Sequence, residues 1–248
     1  MAFQAVLPAR IFKSVSAKIP DNPLISVVMP VFNEEETIEE IVARVLASPL
    51  RIELIAVDDG STDGSKDILK KLSEQHGFTL MLQEENQGKG AAVRRGFKET
   101  TGDIVIIQDA DLEYSPEEYT DLIDLIVQGK ADAVYGSRFL GRHRAFLYLH
   151  YLGNRFLTFI TNILYNTTLT DMETCFKAIR GEIVRGLKLR EKRFGIEPEI
   201  TAKLFKKGCR VYEVPITYQG RGYEEGKKIS WRDGLRAVWV LFKYRFTD

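Results

Sequence analysis

The sequence predicts an α/β domain built on a mostly parallel sheet with helices on both faces. Three observations carry that prediction. Short Val- and Ile-rich runs alternate with segments of helical periodicity from Leu24 to Arg138, the pattern of repeated βαβ units. Several of these runs end in acidic or glycine-rich turns, where open α/β sheets bind ligands. The chain of 248 residues, 44% hydrophobic and 28% charged, suffices for one large domain.

Leu24 to Val31 reads as the first strand, with Pro30 near its end, where a missing N–H costs little. Asn33 is placed as an N-cap with Glu36 at capping-box spacing, and Ile38, Ile41, Val42, Val45 and Leu46 give the helix one buried face. Ile52 to Val57 is the second strand, and it ends in the acidic turn Asp58-Asp59-Gly60-Ser61-Thr62-Asp63-Gly64. Ser65 to Gln75 makes a second helix and Thr79 to Gln83 a third strand. Glu85-Asn86-Gln87-Gly88-Lys89-Gly90 then opens a helix to about Thr100. This loop lacks the spacing of a P-loop. Its glycines permit close approach of backbone to a ligand, and a plain tight turn explains them equally well.

The chain is organised around the fourth strand, whose apolar run from Ile104 ends in Asp109-Ala110-Asp111. Alternate residues of an extended chain point the same way, so both carboxylates are expected to face one ion. Hard oxygen donors suit Mg²⁺ or Mn²⁺. A solvated acidic turn is the bland alternative. Ser115 and Pro116 start the next helix, with Pro at the favoured first position. Ala131 to Tyr135 is a fifth strand, closing in Gly136-Ser137-Arg138.

The pattern changes from Phe139 to Thr168, where aromatics and leucines outnumber what one buried helix face needs. Arg155 and His150 argue against a membrane span, which leaves interface helices or ordinary core. Further on, helices are expected near Gly181 to Leu187 and Pro198 to Lys207, a strand from Val211 to Tyr218, and an amphipathic helix from Trp231 to Phe246. A single domain is expected from residue 24 to 248, preceded by an arm, residues 1–23, whose apolar stripe fits a membrane surface or a packed terminus.

Composition removes several function classes. Lys+Arg and Asp+Glu both number 35, so global charge favours no nucleic-acid partner. Cys175 and Cys209 lack metal-ligand spacing and point to a reducing compartment. The three histidines do not cluster, which argues against a zinc site or a catalytic triad. Neither a signal-peptide core nor a run of about twenty apolar residues is present.

Val28-Met-Pro-Val-Phe-Asn-Glu34, Val57-Asp-Asp-Gly-Ser-Thr-Asp63, Gln108-Asp-Ala-Asp111 and Gly136-Ser-Arg138 resemble family 2 glycosyltransferases. Thr170-Asp-Met-Glu-Thr-Cys-Phe-Lys177 and the Arg221–Lys228 stretch narrow the likeness to polyprenyl-phosphate sugar transferases, the group of dolichyl-phosphate mannose and glucose synthases. The resemblance implies a GT-A fold and inverting, metal-dependent transfer from a nucleotide diphosphate sugar to a dolichyl or undecaprenyl phosphate. By that likeness Pro30, Phe32, Glu34, Asp58 and Asp59 surround the nucleotide's base and ribose. Gly88, Lys89 and Ala110 also belong to the donor side. Asp109 and Asp111 hold Mg²⁺ or Mn²⁺, with Glu113 as a third ligand on the same alternation. Arg138 grips the acceptor phosphate. Arg144, Arg155, Arg221, Lys227 and Lys228 complete the pool of cations, and the choice between Arg144 and Arg155 stays open.

A UDP-sugar is the favoured donor, with GDP-mannose as the other candidate. Longer members of this group continue into transmembrane helices. Here contact is expected from surface helices or a membrane-anchoring partner subunit, on the cytoplasmic face of a membrane. A soluble or polysaccharide hydroxyl acceptor is the competing reading, and it would require a carboxylate base.

Overall fold

The computed structural model describes residues 18–145, 147–220 and 231–247. Most of the N-terminal arm, Phe146, and the loop holding Arg221, Lys227 and Lys228 lie outside these residues. The described strands are β1 (Leu24–Val31), β2 (Arg51–Asp58), β3 (Thr79–Leu82), β4 (Ile104–Ile107), β5 (Ala133–Ser137), β6 (Lys177–Arg180) and β7 (Val211–Pro215). The helices are α1 (Ile38–Leu46), α2 (Ser65–His76), α3 (Lys89–Glu99), α4 (Tyr119–Val127), α5 (Tyr148–Tyr165), α6 (Gly181–Arg185), α7 (Ile196–Lys206) and α8 (Trp231–Phe246).

The strands form one sheet in the order β3-β2-β1-β4-β6-β5-β7. Only β6 runs against its neighbours, antiparallel to both β4 and β5. The mostly parallel sheet expected from the alternation is therefore found. Its two faces are read directly from the side-chain period of a strand. Ile25, Val27 and Met29 of β1 join α1, α2 and α4 in one core. Val28 faces the other way, into a second core with α3, α5, α6, α7 and α8. Parallel pairing aligns the carboxyl ends of β1, β2 and β4, with Val31 opposite Asp58 and Val28 opposite Ile107. Because β6 is reversed, the segment leading into it arrives at that same end of the sheet.

Local structure departs from the sequence reading at several points. Helix α1 begins at Ile38 rather than after Asn33. Asn33 instead takes φ +52°, a conformation that Asn tolerates, and its Oδ1 accepts the Thr62 N–H at 2.8 Å. Its side chain ties two loops together instead of capping a helix. Strand β4 stops at Ile107, and Leu112 takes φ +61°, so Asp109 to Glu113 are not one extended run. The alternation expected to aim three carboxylates at one ion does not hold there. Pro116 does start a helical segment, first as a 3-10 turn over Pro116–Glu118. The last strand ends at Pro215, and Tyr218 makes isolated bridges with Tyr114 and His143.

The apolar surplus after Phe139 resolves into the single helix α5. Leu157, Thr158 and Thr161 are buried, whereas Leu149, Leu152, Phe156, Phe159 and Ile163 are exposed. No described helix is long and apolar enough to cross a membrane.

Candidate active site

The turn after β2 is built around two buried aspartates. Asp58 Oδ2 accepts the Ser61 N–H at 3.2 Å, while Oδ1 is sealed from solvent with no partner among the described residues. Asp59 is occupied. Its oxygens accept the Gln87 and Gly88 N–H groups at 2.9 and 2.8 Å, and the Gln83 amide as well. Burial raises its pKa against the pull of those donors. Asp58 thus offers a free acceptor, and Asp59 fixes the Gly88 loop. Pro30, Phe32 and Glu34, all partly buried, continue from β1 beside this turn. The Thr37 hydroxyl, following Glu34, donates to the Ala110 carbonyl at 2.8 Å and joins this region to the Asp-x-Asp turn.

Gly88 has φ +98°, and a Cβ there would lie 2.5 Å from the Lys192 carbonyl oxygen. Glycine is required at this position by packing of chain on chain. The turn delivers Lys89 at the start of α3, where Nζ lies 2.6 Å from Asp109 Oδ1 and 2.8 Å from Cys175 Sγ. Burial would lower the Lys89 pKa, but the Asp109 carboxylate together with Cys175 and Glu197 outweighs it and raises the value well above that of a free lysine. Burial pushes the Cys175 thiol up. Asp109 therefore already holds one cation. Asp111 follows two residues later, its Oδ1 accepting the Glu113 N–H at 3.2 Å.

Glu113 is drawn elsewhere, since the Tyr218 hydroxyl donates to its Oε2 at 2.8 Å. No group of three His, Cys, Asp or Glu side chains among the described residues is gathered to hold an ion. The arrangement fits a two-carboxylate site for Mg²⁺ or Mn²⁺ whose other ligands are substrate phosphates and water.

At the end of β5, Arg138 forms a paired contact with Asp171. Nε reaches Oδ2 and Nη2 reaches Oδ1, each at 2.7 Å, and the Arg138 N–H adds a third bond at 3.0 Å. Burial works against the charge, yet the adjacent Asp171 carboxylate raises the guanidinium's pKa well above its ordinary value. The Arg138 and Arg155 guanidinium carbons both lie over the Phe139 ring, at 5.8 and 5.7 Å. Arg144 is exposed and reaches the Gly220 carbonyl at 3.4 Å. Arg138 and Arg155 thus have the Phe139 ring as a common neighbour, and Arg155 Nη1 also donates to the Thr170 carbonyl at 3.3 Å.

Three residues without a role in the sequence reading complete this end of the sheet. Asp171 is the fully buried partner of Arg138. Lys177 is held by Glu197 Oε2 at 2.6 Å and by the carbonyls of Met172 and Thr174. Glu173 lies between them. Only the block Thr170–Lys177, noticed through its resemblance, drew attention to this segment.

The pattern of Glycosyl transferase family 2 matches residues 26–187. Among curated proteins, the chain is 31% identical over 228 residues to a dolichol-phosphate mannosyltransferase of Pyrococcus furiosus, covering 89% of this chain and 64% of that protein. It is 30% identical over 212 residues to an undecaprenyl-phosphate 4-deoxy-4-formamido-L-arabinose transferase of Edwardsiella ictaluri, covering 82% and 62%. The chain spans under two thirds of the length of these relatives. Among solved structures, glucosyl-3-phosphoglycerate synthase from Mycobacterium tuberculosis, in complex with Mn²⁺, UDP and phosphoglyceric acid, superposes with a TM-score of 0.70 at 20% identity, over 91% of this chain and 80% of that one. This shows the GT-A fold. The family pattern runs from β1 into the turn after α6, through the Asp58 turn, the Asp-x-Asp turn and the Arg138–Asp171 pair, and the chain belongs to glycosyl transferase family 2.

Proposed function

We propose that this chain transfers a sugar, with inversion, from a nucleotide diphosphate sugar to a polyprenyl phosphate at a membrane surface. The carrying observation is that two separate cation-bearing centres share one end of the sheet. One is Asp109 with Lys89; the other is Arg138, which shares the Phe139 ring with Arg155. A donor diphosphate and an acceptor phosphate repel each other, so each requires its own positive charge. The names of the two curated relatives support the same acceptor class.

The roles follow from the chemistry of the groups. Asp58, with its free buried oxygen, accepts an N–H or hydroxyl of the nucleoside. Asp109 and Asp111 are the residues that would hold the divalent ion. Such an ion supplies Lewis-acid stabilisation of the departing diphosphate. Lys89 adds charge at the same place. Arg138 and Arg155 hold the acceptor phosphate, with Arg138 itself fixed by Asp171. A lipid phosphate is already anionic near neutral pH, so it needs no histidine base to make it a nucleophile. Attack opposite the leaving group inverts the anomeric carbon. The UDP complex of the structural neighbour supports a UDP-sugar as donor.

Two exposed helix faces support action at a membrane. On α5 the stripe is Leu149, Leu152, Phe156, Phe159 and Ile163; on α8 it is Leu235, Trp239, Phe242 and Phe246. The helices touch, with the Tyr165 hydroxyl donating to the Leu241 carbonyl at 2.8 Å. Arg236 and Lys243 lie over the Trp239 ring at 4.3 and 4.5 Å, an arrangement suited to the headgroup level of an anionic, cytoplasm-facing leaflet.

The test is to incubate the chain with Mn²⁺, labelled nucleotide sugars and a short polyprenyl phosphate. Label should enter organic solvent. Label appearing only on hydroxyl acceptors overturns the proposal in favour of a soluble or polysaccharide acceptor.

A further inference from the structure

The segment Asp171–Cys175 links the two halves of the site. Its first residue grips Arg138. Its last, Cys175, touches Lys89, which reaches Asp109. Glu173 stands midway. Its Oε1 is sealed from solvent and has no hydrogen-bond partner among the described residues. Leaving a buried carboxyl oxygen unpaired is costly, and such a group calls for an explanation in strain, in a bound water or ion, or in the chemistry of the site.

The neighbours of Glu173 do not satisfy it. The charged groups facing it are Lys177 of β6, Glu197 of α7, Arg138 after β5, and Asp171 of its own segment. Lys177 is engaged by Glu197 and by two backbone carbonyls. Arg138 is engaged by Asp171. Glu197 is 3% exposed and leaves its own Oε1 without a partner among the described residues. Burial with two carboxylates nearby outweighs the two cations, and the Glu173 carboxyl is pushed up to about 7.

In a transfer reaction the migrating sugar must lie between the donor diphosphate and the acceptor phosphate. Glu173 lies midway along the segment whose two ends touch the two centres. Resting on the functional reading above, we propose that Glu173 accepts hydrogen bonds from hydroxyls of the transferred sugar and thereby selects the donor sugar. A hydroxyl favours the ionised carboxylate, so sugar binding should release a proton from this group.

The experiment is calorimetry on the full chain with Mn²⁺, using UDP-glucose, UDP-N-acetylglucosamine, UDP-glucuronate and GDP-mannose, and free UDP and GDP as controls. For the donor that binds wild type most tightly, Glu173→Ala should weaken binding by about tenfold or more, the scale of a hydrogen bond to a charged group. The corresponding free nucleotide should bind as before. Wild-type affinity for the sugar nucleotide should rise from about pH 6 to about pH 8, and Glu173→Gln should abolish that rise while preserving shape. A deoxy donor lacking the contacted hydroxyl should bind wild type and Glu173→Ala equally.

Equal losses for nucleotide and sugar nucleotide, or no loss and no change of pH profile in Glu173→Gln, overturn the inference and leave the functional reading standing. If folded wild type binds no nucleotide sugar of the panel, that reading fails and the inference falls with it. Circular dichroism of each variant excludes unfolding, and Glu173→Gln carries the test if Glu173→Ala melts early.

Discussion

Lys89 Nζ and Asp109 Oδ1 lie 2.6 Å apart, with both side chains largely buried. The ammonium occupies one oxygen of a carboxylate that a divalent ion would use. Replacing Lys89 by Met removes both a competitor and a repelling charge. In the absence of nucleotide, Mn²⁺ affinity read by electron paramagnetic resonance should rise by about tenfold, the scale of one charge–charge contact in a partly buried site. Asp111→Asn should show the opposite, weaker Mn²⁺ binding and loss of transfer, because a neutral amide cannot offset the ion's charge. Unchanged affinity in Lys89→Met would mean that the lysine only orients Asp109.

Arg138 and Asp171 form a buried ion pair, and removing one member leaves an uncompensated charge. Asp171→Ala should lower unfolding stability by about 3–5 kcal/mol, measured by urea denaturation. Arg138→Ala should reduce turnover more than donor affinity, since the guanidinium serves the acceptor side. Arg138→Lys should rescue only partly, because a point charge cannot make both bonds to the carboxylate. Greatly weakened nucleotide-sugar binding in Arg138→Ala would move the residue to the donor side.

Phe156 and Phe159 are 56% and 61% exposed on α5. Replacing both by Ser should leave melting unchanged, because neither side chain is part of the core. Flotation with liposomes should weaken, most visibly with anionic lipid, where each basic residue contributes about 1 kcal/mol near the surface. Added salt should partly reverse wild-type flotation. A folded double variant that floats as well as wild type removes α5 from the docking surface.

Glu173 also predicts a pH dependence of stability. Its folded pKa, about 7, lies above the ordinary carboxylate value of 4.5. The folded state therefore holds this proton more tightly than the unfolded chain. The stabilisation is complete below about pH 4.5 and is lost as pH rises towards 7. Glu173→Gln mimics the neutral acid, so its melting temperature relative to wild type should climb across that interval and level off above it. A constant difference over the whole range would place the folded pKa near its ordinary value.

Much of the architecture was legible along the chain. Strands β1 and β2 and helices α2, α3 and α8 fall within a residue or two of their expected places, because periods of 2 and 3.6 residues are local properties that the hydrophobic pattern records. The same pattern located Asp58 at the end of one strand and Asp109 beyond the end of another. It misplaced the start of α1, because Asn33 exchanges its capping role for a bond to Thr62. It also misjudged Asp109 to Glu113, because the left-handed turn at Leu112 breaks the alternation. The apolar surplus after Phe139 was visible in sequence, but which residues of α5 are covered depended on what packs against it.

By itself, then, the sequence determined an alternating α/β chain with acidic turns at the ends of its strands, since backbone periodicity and turn chemistry act over a few residues. Only the tertiary structure decided that β6 runs backwards between β4 and β5 and carries Asp171–Cys175 to the carboxyl end of the sheet. That reversal joins Arg138 to Asp171 across 33 residues and Lys89 to Cys175 across 86. Contacts at such separations leave no periodic trace, because buried charges are paired by proximity in space and not by spacing along the chain.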